Sequence, residues 1–279
     1  MFHAEKMRPE DFPFAIRLAN TMDWHTTEDD FKFMLKLEPG GSFVLFNDLE
    51  PVGIATCISY GKTGWFGNLA INEEQRNKGA GTFLLRHAIH YLRCKGVETV
   101  GLYAYQHLIG FYKSIGFKSH DNFAVLSGTV SLRRQEKTFR EANEDDIPAL
   151  TDFASRCLGG SREKLLKALL TNHNNLCYLA SQKEGITGFA FAKVYEEMAE
   201  IGPLLCRRDY GEIVTGLLWT ILSSLGNLET YAYAPLNEKK LLETLMKAGL
   251  KEEFRVTRMF LGPAAAEQCV YIAESLERG

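Results

Sequence analysis

WFGNLAINEEQRNKGAGTFLL, residues 65–85, is the stretch whose reading decides the fold. An apolar, strand-like run over 65–71 enters a polar turn at 72–78. The turn ends in Gly79-Ala80-Gly81-Thr82, and an amphipathic helix begins. Glycines at a strand-to-helix turn let backbone N–H groups approach a ligand without interference from a Cβ atom. The helix N-terminus adds donors that have no partner within the helix, and a partial positive charge. Such a place suits a phosphate or pyrophosphate. Arg76, Asn77 and Lys78 bring polar and cationic side chains to the same turn. A Walker loop is excluded, because no Gly-Lys-Ser/Thr follows at the required spacing. A dinucleotide fingerprint is excluded as well, because Leu84 stands where its third glycine belongs.

The rest of the first half fits an alternation of helices and strands. Phe14, Ala15, Leu18 and Ala19 recur at helical spacing, as do Phe31, Phe33, Met34 and Leu37. Thr27-x-x-Asp30 predicts a cap for the second of these helices. Asp23, Trp24 and His25 then fall on the connection between them. Trp24 is either a core plug or a contact to a substrate. Residues 42–46 and 52–60 read as strands around a polar turn. A helix predicted over 82–93 buries Leu85, Ala88, Ile89 and Leu92. His87, His90 and Cys94 share its other face, where a solvated surface is expected rather than a metal site. Residues 97–105 form the next strand, and 108–114 a short helix.

Arg76-x-x-Gly79-x-Gly81 resembles the signature of the GNAT superfamily of N-acetyltransferases. Gly110-Phe111-Tyr112-Lys113-Ser114-Ile115-Gly116-Phe117 resembles a second segment of the same family, and it follows the turn in the family's order. One departure is Tyr105, where the family often carries Asn. The resemblance implies an α/β (α+β) fold with a mixed, mostly antiparallel sheet flanked by helices. It also implies acetyl-CoA as co-substrate and no metal. Backbone groups of Asn68, Leu69, Ala70 and Ile71 would hold the pantetheine and polarise the thioester carbonyl. The turn from Arg76 through Asn77, Lys78, Gly79, Ala80 and Gly81 to Thr82 would hold the pyrophosphate. Tyr112 would protonate the leaving thiolate, a role that suits a phenol with an ordinary pKa of about 10. The general base is open, since Trp65, Phe66 and Asn68 supply no carboxylate where the family often has one. Asp23, His25 or water are the options. Trp65 and Phe66 either line an apolar acceptor pocket or pack in the core.

The second half echoes the first. At a shift of 135 positions Phe43 meets Tyr178, Gly53 meets Gly188, and Leu69 meets Leu204. Further on, Arg76-x-x-Gly79 meets Arg208-x-x-Gly211, and Tyr103-Ala104-Tyr105 meets Tyr231-Ala232-Tyr233. Ile213 replaces Gly81 and Leu245 replaces Tyr112, so the second copy is expected to have lost cofactor binding. This copy is similar to the C-terminal domain of a two-domain acetyltransferase group, through segments around Arg162, Gly202-Pro203 and Arg258-Met259. The expected organisation is a catalytic domain over 1–130, a linker over 131–138 and a degenerate domain over 139–279.

Composition is ordinary for a soluble globular protein, 46% hydrophobic and 24% charged, and the length of 279 residues suggests two domains. A net charge of −3 gives no argument for nucleic-acid binding. No apolar run approaches the roughly 20 residues of a membrane span, and the first residues lack an apolar signal core. Six scattered cysteines without a Cys-x-x-Cys pair suggest reduced, buried thiols and a cytoplasmic location. The function expected is acetyl transfer from acetyl-CoA to a primary amine on a small molecule or peptide, by a monomer or homodimer. The alternatives are a non-catalytic acyl-CoA-binding module and a transferase of another acyl or aminoacyl group.

Overall fold

The computed structural model describes residues 1–130, 139–183, 185–264 and 268–279. The expected linker, 131–138, lies outside the described residues. By their contacts the described residues fall into two compact units. The first holds Met1–Leu102 with Phe260–Pro263 and Arg278; the second holds Tyr103–Met259, Ala264–Glu277 and Gly279.

The first unit runs β1 (Phe2–Lys6), α1 (Phe12–Asn20), α2 (Glu28–Leu37), β2 (Ser42–Asn47), β3 (Glu50–Ser59), β4 (Thr63–Ile71), α3 (Ala80–Cys94) and β5 (Thr99–Tyr105), whose last three residues belong to the second unit. Its strands are ordered β1-β2-β3-β4-β5, antiparallel except for the parallel pair β4–β5. Helical periodicity translates largely into burial, although Phe14 and Phe33 of the expected stripes are only half-buried. Phe12, Ala15, Leu18 and Ala19 of α1 are buried, with Phe31, Met34 and Leu37 of α2. On α3 the buried set is Ala80, Leu84, Leu85, Ala88 and Leu92, with Ile89 only half-buried. Thr27 and Asp30 form the expected capping box, and the Thr27 N–H donates to Asp30 Oδ2 at 2.8 Å. Glu38, 2% exposed, accepts from the Tyr91 hydroxyl at 2.6 Å, Lys95 Nζ at 2.7 Å and the Ser59 N–H at 3.0 Å. A carboxylate buried to this degree persists because its lone pairs are satisfied.

The second unit continues with α4 (Ile109–Ser114), β6 (Lys118–Thr129), β7 (Arg140–Glu141), α5 (Ile147–Leu158), α6 (Glu163–Leu170), β8 (Leu176–Gln182), β9 (Gly185–Val194), β10 (Met198–Arg207), α7 (Gly211–Ser224), β11 (Glu229–Pro235), α8 (Lys239–Lys247), β12 (Lys251–Leu261, its last two residues in the first unit) and β13 (Cys269–Ile272). Its strand order is β12-β6-β11-β10-β9-β8-β7, and β13 adds to β10. β6 pairs antiparallel with β11, Phe123 to Thr129 against Pro235 to Glu229. This pairing joins a strand of the first sequence copy to one of the second. Compact units and sequence copies are therefore different divisions of the chain.

One expectation is corrected here. The cysteines are not all thiols, because Cys157 at the end of α5 and Cys269 of β13 form a disulfide. Their sequence separation of 112 residues hides the pairing from any local pattern. Cys57, Cys177 and Cys206 are buried thiols and Cys94 is an exposed one. No described helix is long and apolar enough to cross a membrane.

Candidate active site

The centre of the first unit's site is the outer half of β4. Its ladder to β5 runs over Thr63↔Thr99, Gly64↔Val100 and Trp65↔Gly101, and has ended by Phe66 and Leu102. On its other side β4 stays paired with β3, but with a slip. Ile54 faces Ala70 and Thr56 faces Gly67, so β4 carries one residue more than β3. That extra residue makes a β-bulge, a device that re-aims backbone and side chains beside active sites. Asn68 sits in it with φ +50°, a left-handed conformation that Asn adopts more readily than most residues. Its Nδ2 donates to Thr56 Oγ1 at 3.2 Å. Gly67, Asn68 and Leu69 are half-buried in a strand whose flanks are buried.

The chain then turns through 72–79. The Asn72 N–H donates to the Val52 carbonyl at 2.8 Å, and a short 3-10 turn follows over Glu73–Gln75. Arg76 Nε donates to the Ile71 carbonyl at 3.0 Å, which closes the turn onto the end of β4. Asn77 (φ +61°) and Gly79 (φ +87°) are both left-handed. Alternation of this kind points successive N–H groups into one concavity, the geometry that cradles anions. Gly79 is also the N-cap of α3 and supplies no side-chain cap. The first N–H groups of α3, from Ala80, Gly81 and Thr82, lack intrahelical acceptors by construction. A Cβ placed on Gly79 would meet nothing within 4 Å. Glycine is there for its φ, and the space above it is open.

The α1–α2 connection packs against the same end of β4. Trp24 is half-buried against the cluster that contains Ala70. Met22 Sδ lies 3.8 Å from Arg76 Nη2. The Asn20 side chain clamps Thr26, accepting its N–H at 2.8 Å and donating to its carbonyl at 3.2 Å. Asp23 (φ +56°) and His25 (φ +50°) are exposed and left-handed in the closed loop. Non-glycine residues held in this region are strained, and such strain clusters at functional sites. The connection that carries Asp23, Trp24 and His25 is thus anchored to the cluster of Ala70 through Trp24 and to Arg76 through Met22.

Two sequence candidates have a packing role. Trp65 is 5% exposed and meets the Phe260 ring edge-on at 6.1 Å. A Cβ on Gly101 would fall 2.3 Å from the Trp65 ring. Phe66 is 1% exposed. Asn68, expected to help hold the pantetheine through its backbone, sits in a bulge that the sequence reading does not contain. The Gly67-Asn68 pair inside a strand pattern was the available signal.

Tyr112 lies in the second unit, on α4, 6% exposed between the edges of Phe111 (5.0 Å) and Phe117 (5.9 Å). Burial, and to a smaller extent Tyr105, push its pKa well above the ordinary phenol value. Burial thus favours its protonated form. On α3, His90 Nε2 lies 3.5 Å from Cys94 Sγ, whereas His87 turns edge-on to Phe43 at 4.7 Å.

The second copy differs where β4 is open. β10 and β11 pair in parallel from Met198↔Glu229 to Ile201↔Ala232. Past that point β13 takes the place, from Leu204↔Ile272 to Arg207↔Cys269. Arg208 is bound to Glu238 in an ion pair, and Gly211 has a helical φ of −57°. Leu245, which stands for Tyr112, is fully buried. The slot is filled with the chain's own strand.

Residues 6–117 match the model of the acetyltransferase (GNAT) family, and residues 150–271 that of an acetyltransferase (GNAT) domain. The chain belongs to the GNAT acetyltransferases. Among solved structures, this tandem GNAT chain is similar to a putative acetyltransferase from Pyrococcus horikoshii: 22% identity, TM-score 0.81, covering 100% of this chain and 96% of that one. It is also similar to GCN5-related N-acetyltransferases from Sphaerobacter thermophilus (15%, TM-score 0.67, 96% and 98% covered) and Kribbella flavida (17%, TM-score 0.61, 93% and 71% covered). At these identities the likeness shows the fold. No curated protein matches the sequence. An acyltransferase of the GNAT type is what the two family matches establish.

Proposed function

We propose that this GNAT chain transfers the acetyl group of acetyl-CoA to a primary amine, using the first copy alone. The observation that carries this reading is the early end of the β4–β5 ladder at Trp65↔Gly101, next to the Asn68 bulge and the left-handed Gly79. Acetyl-CoA supplies an activated acetyl thioester. The turn at Arg76, Asn77, Lys78, Gly79, Ala80, Gly81 and Thr82 binds the pyrophosphate through backbone N–H groups and two cations. Leu69, Ala70 and Ile71 orient the pantetheine through main-chain groups at the end of β4. Donors fixed in advance toward developing negative charge make the largest single catalytic contribution in sites of this kind. Tyr112 keeps its proton for the departing sulfur, the form its burial favours. Asp23 or His25 accepts the amine's proton, with Trp24 beside the acceptor.

Thiol release from acetyl-CoA in the presence of an amine panel tests the reaction. Turnover that depends on the amine supports it. Coenzyme A binding without turnover across broad panels would make the chain an acyl-CoA-binding module instead.

A further inference from the structure

Asn68 and Thr56 are polar at two positions where glycine and an aliphatic residue would serve. The bulge in β4 asks for a left-handed residue, and glycine meets that demand at no steric cost. The chain has a glycine one place earlier, at Gly67, yet carries asparagine where φ is +50°. Thr56 on β3 is 0% exposed. The residues two before and two after it share its face of the strand. These are Ile54 and Ile58, both aliphatic and fully buried. A buried hydroxyl is unfavourable among such neighbours unless it is hydrogen-bonded. Thr56 Oγ1 accepts from Asn68 Nδ2 at 3.2 Å, so the two polar side chains answer each other across β3 and β4.

Their bond lies at the point where the β3–β4 ladder slips. Ile54 faces Ala70 and Thr56 faces Gly67, so Asn68 and Leu69 together stand opposite Ala55. A bulge displaced by one residue would turn the side chains it passes to the opposite face. The side-chain bond fixes the bulge at Asn68. Past it, the Asn72 N–H donates to the Val52 carbonyl at 2.8 Å, so the main chain of 69–71 is held at both ends from the β3 side. The ladder to β5 has already ended at Trp65↔Gly101 and gives this stretch no support. The turn that follows is closed by bonds of its own, from Arg76 Nε to the Ile71 carbonyl and from the Phe83 N–H to the Gly79 carbonyl.

We propose that the Asn68–Thr56 bond is a latch that sets the β4 bulge and so aims the main chain of 69–71 at the acetyl thioester. Asn68 and Thr56 are positioning residues for acetyl transfer, and neither side chain has to touch the substrate. The inference rests on the function proposed above and adds to it the means by which the carbonyl-polarising groups are held. Such groups act through being fixed in advance. A misplacement of about 1 Å at a reacting centre costs on the order of 100-fold in rate. Opening the latch leaves the pyrophosphate turn closed, so rate and cofactor affinity separate.

A double-mutant cycle tests the latch. Asn68→Gly keeps the left-handed backbone, and Thr56→Val keeps the shape of the buried side chain. Two quantities are read on the full chain: kcat with acetyl-CoA and an amine, and the infrared carbonyl band of bound, isotope-labelled acetyl-CoA. Each single variant is expected to lose at least about tenfold in kcat, with coenzyme A affinity unchanged by titration. The double variant should lose no more than either single one, because both remove the same bond. Thr56→Ser, which keeps the hydroxyl, should recover most of the rate. The bound carbonyl band should lie below its position in water, and Asn68→Gly and Thr56→Val should move it back. Unchanged kcat in the single variants, losses that multiply in the double variant, or a band the variants leave in place would each overturn the latch. The infrared reading needs no amine. A band that responds to the variants without turnover on any amine would remove the transfer reading and keep the latch. Turnover that the variants leave untouched would do the reverse. A chain that binds no acetyl-CoA overturns both. If Thr56→Val does not fold, the rate and the band of Asn68→Gly decide.

Discussion

Leu204 of β10 is paired with Ile272 of β13, at the position in the second copy where the first copy's β4 has left its partner strand. A strand cannot lend the same edge to another strand and to a ligand. The expected outcome is one coenzyme A per chain by isothermal titration. A stoichiometry of two would contradict the assignment of the closed copy.

Gly79 has a left-handed backbone and open space over its α-carbon. Substitution there acts through conformation and not through a clash. Gly79→Ala should cost about 1–2 kcal/mol, the usual penalty for a side chain in this region. Gly79→Asn should cost less, since Asn tolerates it. Urea unfolding checks the order, and coenzyme A affinity should fall in the same sequence.

Removing the Tyr112 hydroxyl should separate rate from binding. Tyr112→Phe keeps the ring between Phe111 and Phe117, so the fold and coenzyme A affinity are expected to hold. The maximal rate should fall about 100-fold, the lower range for loss of a general acid. An unchanged rate would remove Tyr112 from the reaction.

Alkaline pH should destabilise the protein. Tyr103, Tyr112 and Tyr233 all have pKa values raised first by burial. In the unfolded chain these phenols ionise near pH 10, while in the folded chain they stay protonated. Above that pH the unfolded state binds fewer protons, so stability is full below it and is lost as pH rises further. Denaturant midpoints at pH 9, 10 and 11 would show the fall, and Tyr112→Phe should reduce its slope.

Glu38 fastens α2 to α3 and β3 through Tyr91, Lys95 and Ser59. Glu38→Ala takes their acceptor from the half-buried Tyr91 hydroxyl and Ser59 N–H and leaves Lys95 without this ion pair. A loss of at least about 2 kcal/mol in urea unfolding is expected. Glu38→Gln, which retains an acceptor, should lose less.

Local features of this protein are readable from its residues in order. The Thr27–Asp30 cap, the buried stripe of α3 and the glycine hinge each depend on atoms within one or two helical turns. The reading of Trp65 and Phe66 stayed open because an apolar residue on a central strand looks the same beside a ligand or beside Phe260. The bulge at Asn68 is not legible in the residues, because a bulge exists only in the register between two strands, and a register is set by both.

The sequence by itself determined the two α/β copies and the place of the left-handed hinge, since backbone preference and hydrophobic period act over a few residues. Gly81 against Ile213 and Tyr112 against Leu245 already point to the first copy; tertiary structure alone decided how the second copy's slot is closed. That depends on β13 pairing with β10 from 62 to 68 residues away, and on Cys157 finding Cys269 across 112. Contacts of that range are fixed by what else the chain has already packed, and no short stretch of residues carries the information.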